Sequence, residues 1–468
     1  MKRKGKQATG KKRGRNKTTT QSDLLRRALD WVLNEKMFAD FQTHGNTKWT
    51  AKPLVALAVL MSFSDGQRMR DAFAEGARLS RTLYGLVAIA TFQGLMRALV
   101  THTARLLPIV WHRLWQLMEQ SGGAHYRIGK WLPLAVDGSR FTTPRTKSNE
   151  QAFAAKNYGQ GPKAKSRRKW KNKKRRSKKL GAPVKPQIWV TLLWHMGLQL
   201  PWCWKSGPST SSERHHFAEM IDTHTFPENT LFCGDAGFVG YDLWTTLLDA
   251  GHHFLVRVGG NVRLIEGLHA RFGDGVVCLW PDKAAQKKQP PIVLRLIEVQ
   301  NERGTMYLVT SVLNQRALSL SQAARLYKLR WGIELQFRGV KQTFRRGKLR
   351  SRTAAHALVE LDWSLVALTI VQLLAVKEQI KIDVPPERTS VAQAIRAVRH
   401  AIQYGSDPGV GDSKLTIQLR DATKDTYDRT RPKTSRYRSC HKDKPTATKP
   451  ILTKATKKQK QNYHALAL

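Results

Sequence analysis

The stretch from Ser319 to Arg346, SLSQAARLYKLRWGIELQFRGVKQTFRR, constrains the chain most. Ser319 can cap a helix N-terminus, and Gln322, three residues on, can reach back to complete a capping box. On a helix at 100° per residue, Tyr327, Arg330, Glu334 and Lys341 fall within about 60° of one another. Leu326, Leu329, Ile333, Phe337, Val340 and Phe344 form a second stripe about 80° wide beside them. The spacing therefore predicts one long helix that buries one edge. Its polar edge holds a single carboxylate among Tyr, Arg and Lys, with Arg338 and Arg345 close by. An ordinary solvated face mixes acids and bases. A lone Glu in a basic strip about 21 Å long suits a phosphate backbone with a hard cation beside it. The competing reading is an amphipathic core helix on a basic protein.

Two upstream segments place further acids at strand ends. In WLPLAVDGSRF an apolar strand from Trp131 to Val136 is expected to end on Asp137, followed by Gly138. An acid there suits a ligand at the carboxyl edge of a sheet, although DG is also a common turn. In TLFCGDAGFVGYDLW the strand Leu231–Cys233 leads to Asp235, and Gly234, Gly237 and Gly240 permit tight backbone around it. Asp242 is a rival acid, but its place at the start of the next helix reads as a cap. Between the two acids, QIWVTLLW and LQLPWCW read as a pair of strands hinged at Met196–Gly197. Thr210-x-x-Glu213 is a second capping-box pattern, opening a helix through His216, Met220 and Ile221.

The arrangement Tyr327-x2-Arg330-x3-Glu334-x6-Lys341 resembles the signature of DDE transposases of the insertion sequence four family, as does RWGIE around Glu334. The run GSRFTTPRT after Asp137, with Asn149 and Phe153 beyond, resembles that family's region after its first catalytic Asp. The resemblance covers roughly residues 130–345 and a helical N-terminal region. It implies an α/β fold: an RNase H-like mixed sheet with an inserted β subdomain, preceded and followed by helical regions. It implies that Asp137, Asp235 and Glu334 are the catalytic carboxylates and hold two Mg2+ ions, with Mn2+ able to substitute. It assigns Tyr327, Arg330 and Lys341 to DNA-end contacts, which Arg338 and Arg345 would extend. The implied reaction is cut-and-paste strand cleavage and transfer, with a hairpin intermediate as one route. The implied partners are double-stranded DNA, as terminal inverted repeats and target, and a second copy of the chain in a synaptic homodimer. The implied setting is the bacterial cytoplasm at the nucleoid. Two alternatives stay open: a non-enzymatic basic nucleic-acid-binding protein, and a nuclease of the same fold, which needs the three acids but not Tyr327 or Lys341.

Charge supports a polyanion partner, since 81 Lys and Arg face 34 Asp and Glu for a net +47. The rival, an anionic membrane surface, lacks support, because the longest apolar run seen, around Leu54 to Met61, is too short to span. Cys203, Cys233, Cys278 and Cys440 are scattered without zinc spacing, and the pairs His215–His216 and His252–His253 lack ligand spacing. Residues 1–20 and 163–179 carry nine and twelve Lys or Arg with no acid, which predicts a basic tail and a solvated basic loop. The helical periodicity of residues 21–124 predicts a DNA-binding helical domain. Residues 125–257 read as the first part of a catalytic core, and residues 319–350 close it. The separation of 99 positions from Asp235 to Glu334 leaves room for an inserted β subdomain over 258–318. A C-terminal helical region over 351–404 and a basic disordered tail over 405–468 complete the expectation.

Overall fold

The structure, a computed structural model, describes residues 19–154, 185–268, 275–301, 304–424 and 448–466. The expected tail over most of residues 1–20, the 163–179 loop and Cys440 lie outside the described residues. Four helices come first: α1 (Gln21–Val32), α2 (Ala51–Phe63), α3 (Met69–Tyr84) and α4 (Phe92–Gly122). Thr20 caps α1 in a reciprocal capping box with Asp23. α2 is buried almost all round, as its unbroken apolar sequence requires.

The core strands follow as β1 (Leu132–Thr142), β2 (Gln187–His195), β3 (Leu200–Gly207), β4 (Thr230–Gly234) and β5 (His253–Val258). Helix α5 (Lys147–Phe153) follows β1, α6 (Glu213–Thr223) joins β3 to β4, and α7 (Tyr241–Asp249) joins β4 to β5. β1, β2 and β3 pair antiparallel, whereas β1, β4 and β5 run parallel. This is the mixed sheet expected of an RNase H-like fold. β1 runs on through Asp137 to Thr142 instead of ending at Val136, because β2 continues to pair with it as far as Gln187. The Thr210 capping box is not formed: Ser212 precedes α6 without a side-chain cap bond.

The strands of the 258–318 segment do not stand apart from this sheet. β6 (Arg263–Glu266), β7 (Val276–Leu279), β8 (Ile292–Asn301) and β9 (Gly304–Thr310) extend it, with the short α8 (Asp282–Gln286) between β7 and β8. β9 joins antiparallel to β5, giving a ten-stranded sheet in the order β10-β6-β7-β8-β9-β5-β4-β1-β2-β3. Its outer strand β10 (Ile451–Lys454) comes from the expected C-terminal tail and pairs parallel with β6. The tail expectation also fails over residues 405–424. There α13 (Leu415–Arg420) buries Leu415 and Leu419, and Gln21 N–H donates to the Asp407 carbonyl at 3.1 Å. Composition hid these elements because each is short and anchored by a distant partner. An exposed basic helix, α14 (Lys457–Leu466), follows β10.

The closing region holds α9 (Leu320–Leu329), α10 (Gly332–Arg338), a π-helical turn (Gly339–Thr343), α11 (Ala354–Ile380) and α12 (Val391–Gln403). Among the described residues α11, not Leu54–Met61, is the segment long and apolar enough to cross a membrane, and 94% of its most apolar window is buried inside the protein. It packs on α2, α4, α12, α13 and β3 as a central core helix.

Candidate active site

Strand register brings the first two acids together. Ala135 of β1 pairs with Cys233 of β4, and the strands are parallel. Two residues further along each chain are Asp137, still within β1, and Asp235, one residue past the end of β4. The parallel pairing thus brings the two acids into one neighbourhood beside the carboxyl end of β4, where Asp137 feels the charge of Asp235. Asp137 accepts from the backbone N–H of Gly138 at 2.9 Å. Asp235 accepts from Gly237 N–H at 2.7 Å, and so caps the short turn that follows it. The capping role and the position beside Asp137 hold together.

The third acid arrives on a helix that is not continuous. Ser319 and Gln322 form the expected capping box. From Arg330 onward the bonds tighten: Trp331 N–H donates to Lys328, Ile333 N–H to Arg330 and Glu334 N–H to Trp331. These three-residue closures turn the chain by about 120° per residue, not 100°. The π-helical turn then loosens it, and Arg345 takes a left-handed φ of 53°, ending the helix. Gly332 marks the break because a Cβ there would lie 2.0 Å from Cη2 of Trp194 in β2. The apolar stripe survives: Leu326, Ile333, Phe337, Val340 and Phe344 are buried, and Leu329 packs against the core.

The polar edge therefore splits. Tyr327 and Arg330 are 9% and 8% exposed, whereas Arg338 and Arg345 are exposed. Arg330 lies 5.3 Å from the centre of the Tyr327 ring and 3.8 Å from Glu334 Oε1. Lys341 is half-buried, donates to Ser139 Oγ at 2.6 Å and sits 5.2 Å from the centre of the Phe141 ring. It thus ties the π-helical turn to β1 two residues beyond Asp137. Ser139 lies in the GSRFTTPRT run, to which the sequence alone assigns no contact.

Electrostatics shows which acids share the site. Burial raises the Asp137 carboxyl to about 6; Arg330 opposes the rise, and Asp235 and Glu334 add to it. Burial also raises Glu334, where Arg330 opposes and Asp235 adds. All three acids are therefore in one electrostatic neighbourhood. Sequence reasoning missed a fourth member. Burial, reinforced by Asp137 and Asp235, lifts Glu213 to about 7. The capping-box reading of Thr210 and Glu213 had explained that acid away. Among the described residues, no three His, Cys, Asp or Glu side chains stand close enough as placed to enclose a metal ion.

A family model for the transposase DDE domain matches residues 132–370, more than half of the chain. The chain belongs to the DDE transposases. The transposase InsG for insertion sequence element IS4 of Escherichia coli (strain K12) is 27% identical over 290 residues, covering 59% of this chain and 60% of InsG. The protein y4zB of Sinorhizobium fredii is 26% identical over 168 residues, covering 34% of this chain and 46% of y4zB. The chain thus spans less than two thirds of the length of either relative. A cryo-EM structure of a piggyBac transposase synaptic complex with hairpin DNA covers 88% of this chain and 87% of that one, at a TM-score of 0.42 and 10% identity. The match to InsG supports the resemblance of the Tyr327, Arg330, Glu334 and Lys341 signature to the insertion sequence four family.

The raised carboxyls give the transposase a pH signature without metal. Their folded values exceed the ordinary 3.8 and 4.5, so the native state holds protons that the unfolded chain has released. The stabilisation is complete below about pH 4 and is lost as pH rises through about 6 to 7. The melting temperature of the metal-free protein is expected to fall across that window. Asp137→Asn and Glu213→Gln should each flatten the fall, which thermal melting at stepped pH measures. An unchanged slope in both variants would contradict the assignment.

Proposed function

We propose that this transposase binds the terminal inverted repeats of a mobile DNA element and cleaves and transfers its strands by a cut-and-paste route through a hairpin. What supports the reading is the parallel pairing of β1 with β4, which brings Asp137 and Asp235 near one another, together with the charges of Asp235 and Glu334 that Asp137 feels. The donor set is all carboxylate oxygen, the chemistry that Mg2+ and Mn2+ prefer. Asp137, Asp235 and Glu334 are the residues that would hold such ions. Their mutual repulsion in the absence of a cation is what a bound cation would relieve. Bound there, two divalent ions would activate the attacking oxygen and stabilise the leaving 3′ oxygen of a phosphodiester.

The chain's own side chains supply the rest. Arg330, buried against Tyr327, holds Glu334 toward the acids and offsets their charge. Lys341 places an ammonium beside β1, where it can meet a phosphate next to the scissile one. Arg338 and Arg345 stand free in solvent on the same segment and suit the flanking backbone. Contact of DNA with Tyr327 and Arg330 needs some opening of their burial, so in this reading they position Glu334 first. The helices over 21–124 serve as the DNA-end-binding domain, the sheet with α9 and α10 as the catalytic core, and two copies assemble on paired ends at the nucleoid.

Incubation of the full chain with a linear duplex carrying the inverted repeats that flank its gene tests this. Mg2+-dependent nicks at the repeat ends, maturing to hairpins on a denaturing gel, are expected. A mobility shift without cleavage in either Mg2+ or Mn2+ would favour the non-enzymatic binder. Cleavage without preference for the repeats would favour a plain nuclease.

A further inference from the structure

β4 and β5 run parallel, so both end on the side where Asp235 stands. β5 ends at Val258, and β6 begins at Arg263 after a short turn. A segment from far along the chain is fastened to that turn. Gly260 N–H donates to Thr448 Oγ1 at 3.1 Å, and Ile451 N–H donates to the Val262 carbonyl at 2.9 Å. β10 then pairs along β6, and Ala455 N–H donates to the Glu266 carbonyl at 2.9 Å. Thr456 and Gln459 form a reciprocal capping box that starts α14. Tyr463, one turn on, packs against the core.

A cavity of about 590 Å3 joins this segment to the candidate site. It is lined by Ala236 and Gly240, which follow Asp235, and by Thr453 of β10 and Gln459 of α14. Arg214 and Arg263 stand on its walls against one acid, Asp282. Arg214 Nε donates to the Gly237 carbonyl at 2.7 Å, in the turn that Asp235 caps. Arg263 is exposed and has no ion pair among the described residues. Residues 448–466 carry five lysines and no acid. In α14 Gln459 and Tyr463 are partly buried, while Lys457, Lys458 and Lys460 are exposed and form no ion pair among the described residues. Cations in the first turn of a helix oppose its macrodipole, so these lysines do nothing for α14 itself. A polyanion lying along them would offset that cost.

We propose that β10 and α14 hold the backbone of duplex DNA where it leaves the candidate active site, with Arg263, Lys457 and Lys460 on its phosphates. The proposal rests on the DNA reading given above and names a further part of that interface. It is tested on the full chain without divalent cation, using a linear duplex that carries the inverted repeats flanking its gene. Gel-shift titrations at several salt concentrations and hydroxyl-radical footprints compare wild type with two double variants, Lys457→Ala with Lys460→Ala and Lys457→Arg with Lys460→Arg. The alanine pair should lower the log-log salt slope by about two units and shorten the footprint at one end. The arginine pair keeps both charges and should match wild type. Neither pair should lower the melting temperature, because both side chains are exposed. A wild-type slope and footprint in the alanine pair would overturn the proposal and leave the DNA reading standing. A lower slope with a whole footprint would reduce the lysines to the general field of a basic protein, and also overturn it. A lower melting temperature in the alanine pair would make them supports of β10, with the same consequence. If wild type does not shift the repeat duplex, the DNA-end reading falls and this proposal with it.

Discussion

Replacing Glu334 by glutamine is expected to abolish strand cleavage, by about a thousandfold or more, while leaving DNA-end binding in place. A metal-holding carboxylate contributes several kcal/mol of charge stabilisation to the reacting phosphate, and each decade of rate is about 1.36 kcal/mol. The Glu334 side chain is 39% exposed, so the change costs the fold little. Glutamine also keeps a polar atom toward the buried Arg330. Binding should even tighten slightly, because one negative charge near the phosphates is gone. Lys341→Ala should fail differently. It removes a cation and its bond to Ser139 but no acid, so binding weakens and the log-log salt slope falls by about one unit. Gel-shift titrations at several salt concentrations, beside a Mg2+-dependent nicking assay, separate the two outcomes. Equal loss of binding in both variants would make the α10 segment merely structural and withdraw Glu334 from the chemistry.

The contrast between these two residues also shows what sequence can and cannot carry. Residue spacing identified Glu334 and Lys341, because a fixed pattern survives any distortion of the helix that bears it. It could not give their environments. A uniform 100° per residue put Tyr327, Arg330, Glu334 and Lys341 on one solvent face. In the structure the first two are buried, and beyond the tightened turn at Trp331 and the π-helical turn at Gly339 the last reaches β1. The segment there meets Trp194 at Gly332 and Ser139 at Lys341, on strands more than a hundred residues away in sequence. Asp137 and Asp235 stood out as candidates because each closes an apolar run, although a turn or a cap accounts for such an acid as well, and Asp235 does cap the turn after it. Glu213 reads as half of a capping box, and its seat against Gly138 is a contact that no local pattern records. The added strands were visible as β segments between 258 and 318. That they continue one sheet depends on pairings such as β9 with β5 and β10 with β6, which no local pattern records.

Glu360→Ala is expected to be the most destabilising single change near the site, at about 3–5 kcal/mol. Glu360 lies on α11 with its side chain 1% exposed, 3.9 Å from the equally buried Arg346. Its oxygens accept from the backbone N–H of Arg350 at 3.0 Å and of Ser351 at 2.9 Å. Arg346 is further held by Ser364 Oγ at 2.9 Å and the Phe344 carbonyl at 3.0 Å. An intact buried pair of this kind roughly breaks even against desolvation, but alanine leaves a buried guanidinium and two N–H groups without their acceptor. Against a total stability on the order of 5–15 kcal/mol, that loss is large. The damage should reach the chemistry as well. The segment that Glu360 secures donates Leu349 N–H to the Thr142 carbonyl at 2.8 Å and accepts Thr142 N–H at Gly347 at 3.2 Å, fastening the end of β1 just beyond Ser139 and Lys341. Denaturant melts should show the midpoint falling with an unchanged m-value, and the folded fraction should cleave more slowly. The double variant Arg346→Met with Glu360→Gln should recover a good part of the stability, because it removes both charges together. If the double variant is as unstable as the sum of the singles, the pair is not coupled, and the two backbone N–H bonds alone explain the role of Glu360.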